Sequence, residues 1–506
     1  MPDETHARAG GRRRWWTLLA VSTAQLLVVL DSTIVNIALP SAQQALGMTD
    51  ANRQWAITAY ALAFGGLLLI GGRVSGLLGH RRAFAVGLVG FAAASALGGA
   101  ATGPGMLFGA RALQGVFAAL LAPAGLSLLT TTYTDTRERG RAFGVFAAVG
   151  AAGAAVGLIA GGLLTQYAGW RWCLYVNVPV ALLAVLGTAF VPHAPPLRAA
   201  GRLDVPGALL STAGFAAVVY AFSEAEPHGW GDPKVLALLA GGAALLAAFV
   251  AVELRAPQPL LPMRVLLHRA RGGAFAAITL MFVAIFGFYL FMSYYTQTVL
   301  GYSPVESGLT LIVNAAAALA GSMLIAGRLH GRVAPAALIV PGLVAAALGM
   351  LLLTRLTADS SAVLGAYLVP ALVLTGLGLG CVMPPTAALA TAHMRPHEIG
   401  AASAAYNASQ QLGAALGTAL LNTLAASAAA AHLASAAGTT PTATAAATVH
   451  GYTTALTVGA AVLLGAACLT SLLATPRPER ERDPGSGSGY AAAEKKGAVS
   501  QQVSRT

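Results

Sequence analysis

The chain has 506 residues, 57% of them hydrophobic and only 9% charged, with a mean hydropathy of +0.70. No water-soluble domain of this length needs so much apolar sequence, so the membrane is the expected solvent. The formal net charge of +12 is spread in short clusters between apolar runs, without a basic patch interleaved with aromatics; this argues against a nucleic-acid partner and for a topology signal.

The first apolar stretch starts near Trp15, behind a basic segment at 1–14. A signal peptide begins in the same way, but this stretch is too long, contains Asp31 and has no clear cleavage site after it, so it reads as a retained first span. Apolar windows of span length recur at 15–38, 54–72, 83–101, 105–130, 141–164 and 172–191, then at 204–222 and 234–254, then at 272–298, 307–327, 334–354, 362–388, 399–424 and 452–473. The expected fold is an all-α polytopic membrane protein of 14 spans: one six-helix bundle over 15–191, a linker over 192–271 with two extra helices, and a second six-helix bundle over 272–474. The tail at 475–506 is rich in Pro, Gly, Ser and charge, and is expected to be a disordered cytoplasmic end.

A cytoplasmic N-terminus places 25 of the 30 Lys and Arg on the cytoplasmic side, four outside (Arg53, Arg171, Lys234, Arg355), and Arg111 within a span. One miscounted span would invert every later loop and destroy this bias, so the count and the charges support each other, with both termini cytoplasmic. The chain also resembles itself. Shifted by 260 residues, Gly140–Gly157 lies on Gly400–Gly417 with matching Gly and Ala; shifted by 255, Gly72 and Arg73 lie on Gly327 and Arg328. Both registers superpose equivalent spans, as expected for two parallel six-helix halves with a site between them.

Asp31, in LDSTIVNIALP, sits well inside the first span, and Arg111, in RALQG, inside the fourth. A charge at that depth costs a few kcal/mol and faces protein or water instead of lipid. The two are natural partners, either as a proton-coupling group with its tuning cation or as a permanent ion pair pinning two helices. In the fifth span, Gly153, Gly157, Gly161 and Gly162 include two successive GxxxG steps, which let another backbone come close. Gly72, Arg73, Gly79, Arg81 and Arg82 form a tight basic loop between spans two and three, read either as topology signal or as a gate acting on helix ends. Trp170 and Trp172 are expected to anchor the start of span six at the membrane interface.

Asn407, Gln410 and Gln411 share a face of span thirteen, and with Gln25, Asn36 and Gln114 of the first half they are neutral groups able to bind a ligand or to join helices. Tyr289 and Tyr294, within a Phe-rich ninth span, either line an apolar pocket or face lipid. Glu224, at the end of span seven, is a solvated interfacial acid or a second proton site. Cys173, Cys381 and Cys468 show no pairing by spacing and read as small packing residues. His393 and His397 flank Pro396 in a loop, which disfavours a metal site.

LDSTIVNIALP, GGRVSGLLGHRR, RALQG, the glycine-rich fifth span and GWRWCLYVNVP together resemble the major facilitator superfamily, specifically its fourteen-span drug:proton antiporters. The resemblance covers nearly all of the chain except the tail. It implies proton coupling at Asp31 and Arg111, gating at Gly72–Arg82, antiport at the fifth-span glycines, and a monomer in a bacterial inner membrane. The implied partners are protons, lipid and a small lipophilic drug or antibiotic; the proton gradient takes the place of a cofactor. Gly76 stands where the family's loop usually carries an acid, and Leu158 where its fifth-span motif usually carries proline, so a charge lock and a kink are not carried over. No GxxxxGK[ST], HExxH or GxSxG is present, which argues against an ATP-driven pump or an enzyme. Import by symport and a non-transporting sensor remain open; direction rests on the resemblance alone.

Overall fold

The structure, a computed structural model, describes residues 3–50, 52–133, 135–189, 191, 204–256, 263, 268–329, 332–356, 364–392, 399–435 and 440–474. The tail, His393, His397 and the 192–203 part of the linker lie outside the described residues. In the first half, α1 spans Asp3–Leu46, α2 Trp55–Leu78, α3 His80–Gly99, α4 Pro104–Thr132 and α5 Thr136–Tyr167; one helical turn at Trp172–Tyr175 then precedes α6, Asn177–Thr188. Two further helices follow, α7 (Val205–His228) and α8 (Pro233–Arg255). The second half contains α9 (Arg269–Tyr294), α10 (Pro304–Ala320), α11 (Ala336–Leu353), α12 (Val369–Thr391), α13 (Ile399–Ser435) and α14 (Pro441–Ala474), with π-helical turns at Tyr295–Val299, Gly321–Ala326 and Leu364–Leu368.

Local chemistry sets several of the starts. Asp204 and Asp232 accept from the backbone N–H groups of Gly207 and Lys234 with proline at the head of each helix, and Ser303 and Glu306 form a capping box ahead of α10. Gly79, at φ 83°, makes the turn from α2 into α3. Gly72 to Leu78 are therefore helical, and the expected loop shrinks to this glycine. α1 begins well before Trp15, and α13 and α14 overrun their expected ends because Ala-rich flanks continue a helix readily.

Among the described residues, ten helices are long and apolar enough to cross a membrane, and α2 is an eleventh if its limbs Trp55–Leu68 and Ile70–Leu78, bent by 60°, count as one span. Shorter apolar helices, Ala155–Tyr167, Trp172–Thr188 and Pro206–Phe222, stand at the three other expected positions. The chain is a multi-pass membrane protein.

The packing repeats. α1 lies on α5 and α6, α2 on α4, and α3 on α4 and α6; eight helices later α9 lies on α13 and α14, α10 on α12, and α11 on α12 and α14. Two matched seams join the halves, α5 with α10 and α2 with α13, while α7 leans on α2 and α13 and carries α8 on its outer side. In the most apolar stretch of α8 only 11% of residues are buried, against 67% in α9, so α8 presents its side chains to lipid and the Phe- and Tyr-rich α9 is interior. Glycines allow the closest crossings: a Cβ on Gly115 would meet the Tyr60 carbonyl oxygen at 2.5 Å, and one on Gly376 would overlap the Asn314 carbonyl oxygen, the same contact in each half.

At Gly71 an added Cβ would run into the Ala119 carbonyl oxygen, whereas at Gly76 it would meet nothing within 4 Å. Gly71→Ala is expected to destabilise the solubilised protein by roughly 1–3 kcal/mol, the usual range for overpacking. Gly76→Ala is expected to leave thermal unfolding in detergent nearly unchanged.

Candidate functional site

Asp31 lies midway along α1 with no exposed surface, and Arg111 on α4 is 1% exposed. Arg111 Nη1 donates to Asp31 Oδ2 at 2.5 Å and to Gln114 Oε1 at 2.8 Å, while its Nε donates to the Ala56 carbonyl of α2 at 2.8 Å. Asp31 Oδ1 accepts from Gln114 Nε2 at 2.9 Å and from Asn177 Nδ2, at the start of α6, at 2.7 Å. Gln114 also donates to Ser95 Oγ of α3 at 2.7 Å, and the Arg111 guanidinium lies 4.5 Å from the centre of the Tyr60 ring. Five helices thus converge on one carboxylate. Its three donors offset much of the cost of burying its charge.

A cavity of about 20 Å³ lies between this cluster and the face opposite the N-terminus, bounded by Arg111, Trp170, Cys173 and α1 side chains from Val35 to Ala42. Trp170 is buried, contrary to the expected interfacial anchor, because it belongs to the apolar core that also holds Cys173 and Leu174; the Arg171 guanidinium lies 4.6 Å from its ring and donates to the Ala101 carbonyl. Trp172 is the exposed one of the pair.

The equivalent place in the second half is neutral. Tyr289 OH of α9 donates to Asn314 Oδ1 of α10 at 2.5 Å, and Asn314 Nδ2 donates to Thr375 Oγ1 of α12 at 2.7 Å and to the Leu372 carbonyl at 3.0 Å. The helices are the counterparts of α1, α2 and α4.

A second polar cluster seals the halves together at the face opposite the N-terminus. Arg53, 5% exposed, pairs with Asp50 at 2.7 Å, donates to Asn422 Oδ1 of α13 and lies 3.9 Å above the Tyr294 ring of α9. Asn422 donates to the Asp50 carbonyl and to Gln54 Oε1; Tyr294 OH donates to Gln43, and Ser293 to the Asn36 carbonyl. Gly162 continues the seal, since a Cβ there would meet the Pro304 carbonyl oxygen of α10 at 2.7 Å.

The remaining expected residues scatter. Gly153, Gly157 and Gly161 pack on α1 against Leu26, Thr33 and Ile34. With Leu158 in place of proline, α5 runs as one helix, and its carbonyl at Leu158 touches Gly308 of α10. Arg81 donates to the Thr188 carbonyl at the end of α6, fastening the basic turn within its own half; Gly72 faces Pro123 of α4, and Arg73 and Arg82 lie beside it on α2 and α3. Gln114 belongs to the acid cluster and Tyr294 to the seal. Gln25 meets Gly150, Gln411 meets Gly65 across the α2–α13 seam, Asn407 donates to the Ser403 carbonyl, and Gln410 lies beside Tyr406. Glu224 is outside the cluster, in an ion pair with Lys234 at the α7–α8 turn; the Lys234 ammonium holds its carboxyl below the usual range. The side chain of Glu226 lies outside the described residues.

Sequence reasoning named Asn177 only as a mark of the outer start of span six and Arg53 only by its side of the membrane, and it did not single out Ser95, Asn314, Thr375 or Asn422. Asn177 is a lone amide inside the apolar run VNVPVALL, which is the signal that could have found it. Arg53 stands in the sequence only as one of the outside charges.

The Major Facilitator Superfamily model matches residues 21–418. The chain belongs to this superfamily. It is 56% identical over 489 residues to the puromycin resistance protein pur8 of Streptomyces alboniger, covering 96% of this chain and 97% of that protein. It is 40% identical to the cephamycin export protein CmcT of Amycolatopsis lactamdurans (81% and 85% covered), and 34% identical to the tetracenomycin C resistance and export protein of Streptomyces glaucescens (84% and 80%). Among solved structures, a bacterial homologue of the human lysosomal transporter Spinster, inward-facing, superposes with a TM-score of 0.62 at 17% identity, covering 91% of this chain and 97% of that one. An auto-inhibited POT family peptide transporter gives 0.64 at 16% (93% and 98%). At such identities these two likenesses speak for the fold alone.

Removing one partner of the ion pair strands the other charge. Asp31→Asn is expected to destabilise the protein by about 3–5 kcal/mol, while Asp31→Asn with Arg111→Gln loses less than the two single changes added together. Thermal unfolding of the four proteins in one detergent measures the coupling.

Proposed function

We propose that this chain exports a small lipophilic antibiotic across the bacterial cytoplasmic membrane in exchange for protons, with no cofactor and no covalent chemistry. The observation that carries the reading is the Asp31 carboxylate, sealed from solvent and held beside a cation by helices of the first half, which an alternating-access cycle tilts as a body against the second. A carboxylate so placed takes a proton only when the bundle opens to one side. Relatives named for puromycin resistance and cephamycin export support a drug as cargo and the outward direction.

With both termini cytoplasmic, the face closed by Arg53, Tyr294 and Asn422 is the outer one, so this conformation is closed to the outside. Gln25, Asn36, Asn407, Gln410 and Gln411 are the neutral polar groups from which a drug site between the halves is drawn, next to Tyr289. Asn36 contributes a buried Oδ1 that takes no protein hydrogen bond. Glu224, already neutralised by Lys234, is not assigned the coupling role.

Proteoliposomes holding a pH gradient test the exchange. Puromycin added to the wild type is expected to dissipate the gradient, and Asp31→Asn to slow this at least tenfold, while Glu224→Gln stays near wild type. Equal dissipation by Asp31→Asn would remove Asp31 from the coupling step. Arg53→Ala is expected to raise the labelling rate of a cysteine placed at Asn36, read with a membrane-impermeant thiol reagent from the outer side. An unchanged rate would mean that Arg53 does not hold the seal.

A further inference from the structure

The two amides on Asp31 are held differently. Gln114 is fixed at both ends: its Nε2 donates to Asp31 Oδ1 and to Ser95 Oγ, and its Oε1 accepts from Arg111. Ser95 Oγ spends its own proton on the Phe91 carbonyl, so it can only accept from Gln114. Turning the Gln114 amide over would set its NH2 against the guanidinium and its oxygen against two acceptors. Asn177 has one such attachment. Its Nδ2 donates to Asp31 Oδ1, while its Oδ1, on a side chain with no exposed surface, takes no protein hydrogen bond.

We infer that Asn177 is the group that follows the proton on Asp31, donating through Nδ2 to the carboxylate and turning over to accept through Oδ1 from the carboxylic acid. The inference rests on Asp31 carrying the coupled proton, as proposed above. An ionised carboxylate only accepts, so Asn177 must present its NH2 to it; a protonated Oδ1 carries a hydrogen that needs an acceptor in the same place. When one solvent proton adds to Asp31 Oδ1, the new O–H replaces the negative charge, and the unturned amide would leave two donors facing each other. Rotation of the amide removes that conflict without breaking any hydrogen bond of Asn177 Oδ1, since it makes none. No heavy-atom bond changes and no electron is transferred.

Among the described residues, the titratable side chains around the cluster are Arg111 from α4, Tyr60 from α2 and, across the cavity from Arg111, Cys173 from the turn before α6. Ser95 from α3, Asn177 from α6 and the α5 glycines on α1 do not titrate, and α9 meets α1 farther along, through Ser293 and Tyr294. Asn177 sits on the first turn of α6, which packs on both α1 and α3. A change in its hydrogen bond is therefore felt directly at the joint between three helices of the first half. It is a positioning residue: it touches the acid and not the drug.

Difference infrared spectroscopy of the reconstituted full chain, comparing high and low pH, tests the assignment. The wild type is expected to show an Asp31 carboxylic acid band, absent in Asp31→Asn, together with a side-chain amide carbonyl change that disappears in Asn177→Leu and persists in Asn177→Gln. Drug-driven proton release is expected to fall at least tenfold in Asn177→Leu, and to recover substantially in Asn177→Gln, which keeps an amide. An Asp31 acid band without any amide carbonyl change, or with one that survives in Asn177→Leu, overturns the role of Asn177 alone. Absence of an Asp31 acid band in the wild type at every pH where the protein stays folded overturns proton coupling at Asp31, and the amide switch with it. Should Asn177→Leu fail to fold, the wild-type and Asn177→Gln spectra still decide, because Gln shifts the frequency of the amide band only if that band belongs to position 177.

Discussion

A carboxylate and a guanidinium withdrawn from both water and lipid must pair with each other and find further partners for their remaining acceptors and donors. Asp31 and Arg111 do so by drawing on their neighbours: the Ala56 carbonyl and the Tyr60 ring from α2, Ser95 from α3, Gln114 beside Arg111 on α4, and Asn177 from α6. The geometry of the first half follows from that demand. Gly115 lets α4 approach α2 near Tyr60, and the α5 glycines let α5 lie along α1 without disturbing the acid. In a medium that competes for no hydrogen bonds, such a cluster specifies one arrangement far better than apolar packing does.

The seal at the opposite face works by different physics. Arg53 stacks on an aromatic ring and shares Asp50 with solvent, so its contacts can be exchanged for water when the halves part. The acid cluster has no such exchange available. The seal can thus exchange its contacts for water while the acid cluster cannot, and α1 carries residues of both, Asp31 in the cluster and Asn36 and Gln43 at the seal.

Most of the architecture was legible in the sequence because membrane burial forces long apolar windows, and because charge bias and internal duplication constrain their number independently. Asp31 and Arg111 were legible as well, since a charge inside an apolar run is too costly to persist without a partner or a role. What the sequence did not reveal were residues whose role depends on the third dimension. Asn177 is ordinary in composition and becomes a ligand of Asp31 only because α6 returns beside α1. Trp170 looks like an interfacial anchor, and the fold places it in the apolar core. Gln114 and Tyr294 group with drug-binding side chains by type, and only packing shows Gln114 bonded to Asp31 and Tyr294 under the Arg53 guanidinium. The Gly72–Leu78 stretch reads as a loop because glycine breaks helices in water, yet α2 runs through it, with Gly72 in contact with Pro123 of α4 and Gly76 facing open space.

The two halves share their packing but not their chemistry: where the first has Asp31 and Arg111, the second has Tyr289, Asn314 and Thr375. On the proposed exchange, that asymmetry fixes the electrical character of the cycle. If Asp31 alone carries the exchanged proton, each turn brings a single positive charge inward. A neutral cargo then leaves that charge uncompensated, and the membrane potential adds about 2.3 kcal/mol per 100 mV to the driving force. A singly cationic cargo leaving by the same cycle cancels it and is driven by the pH difference alone, so the voltage sensitivity of export reports the charge of the compound being carried.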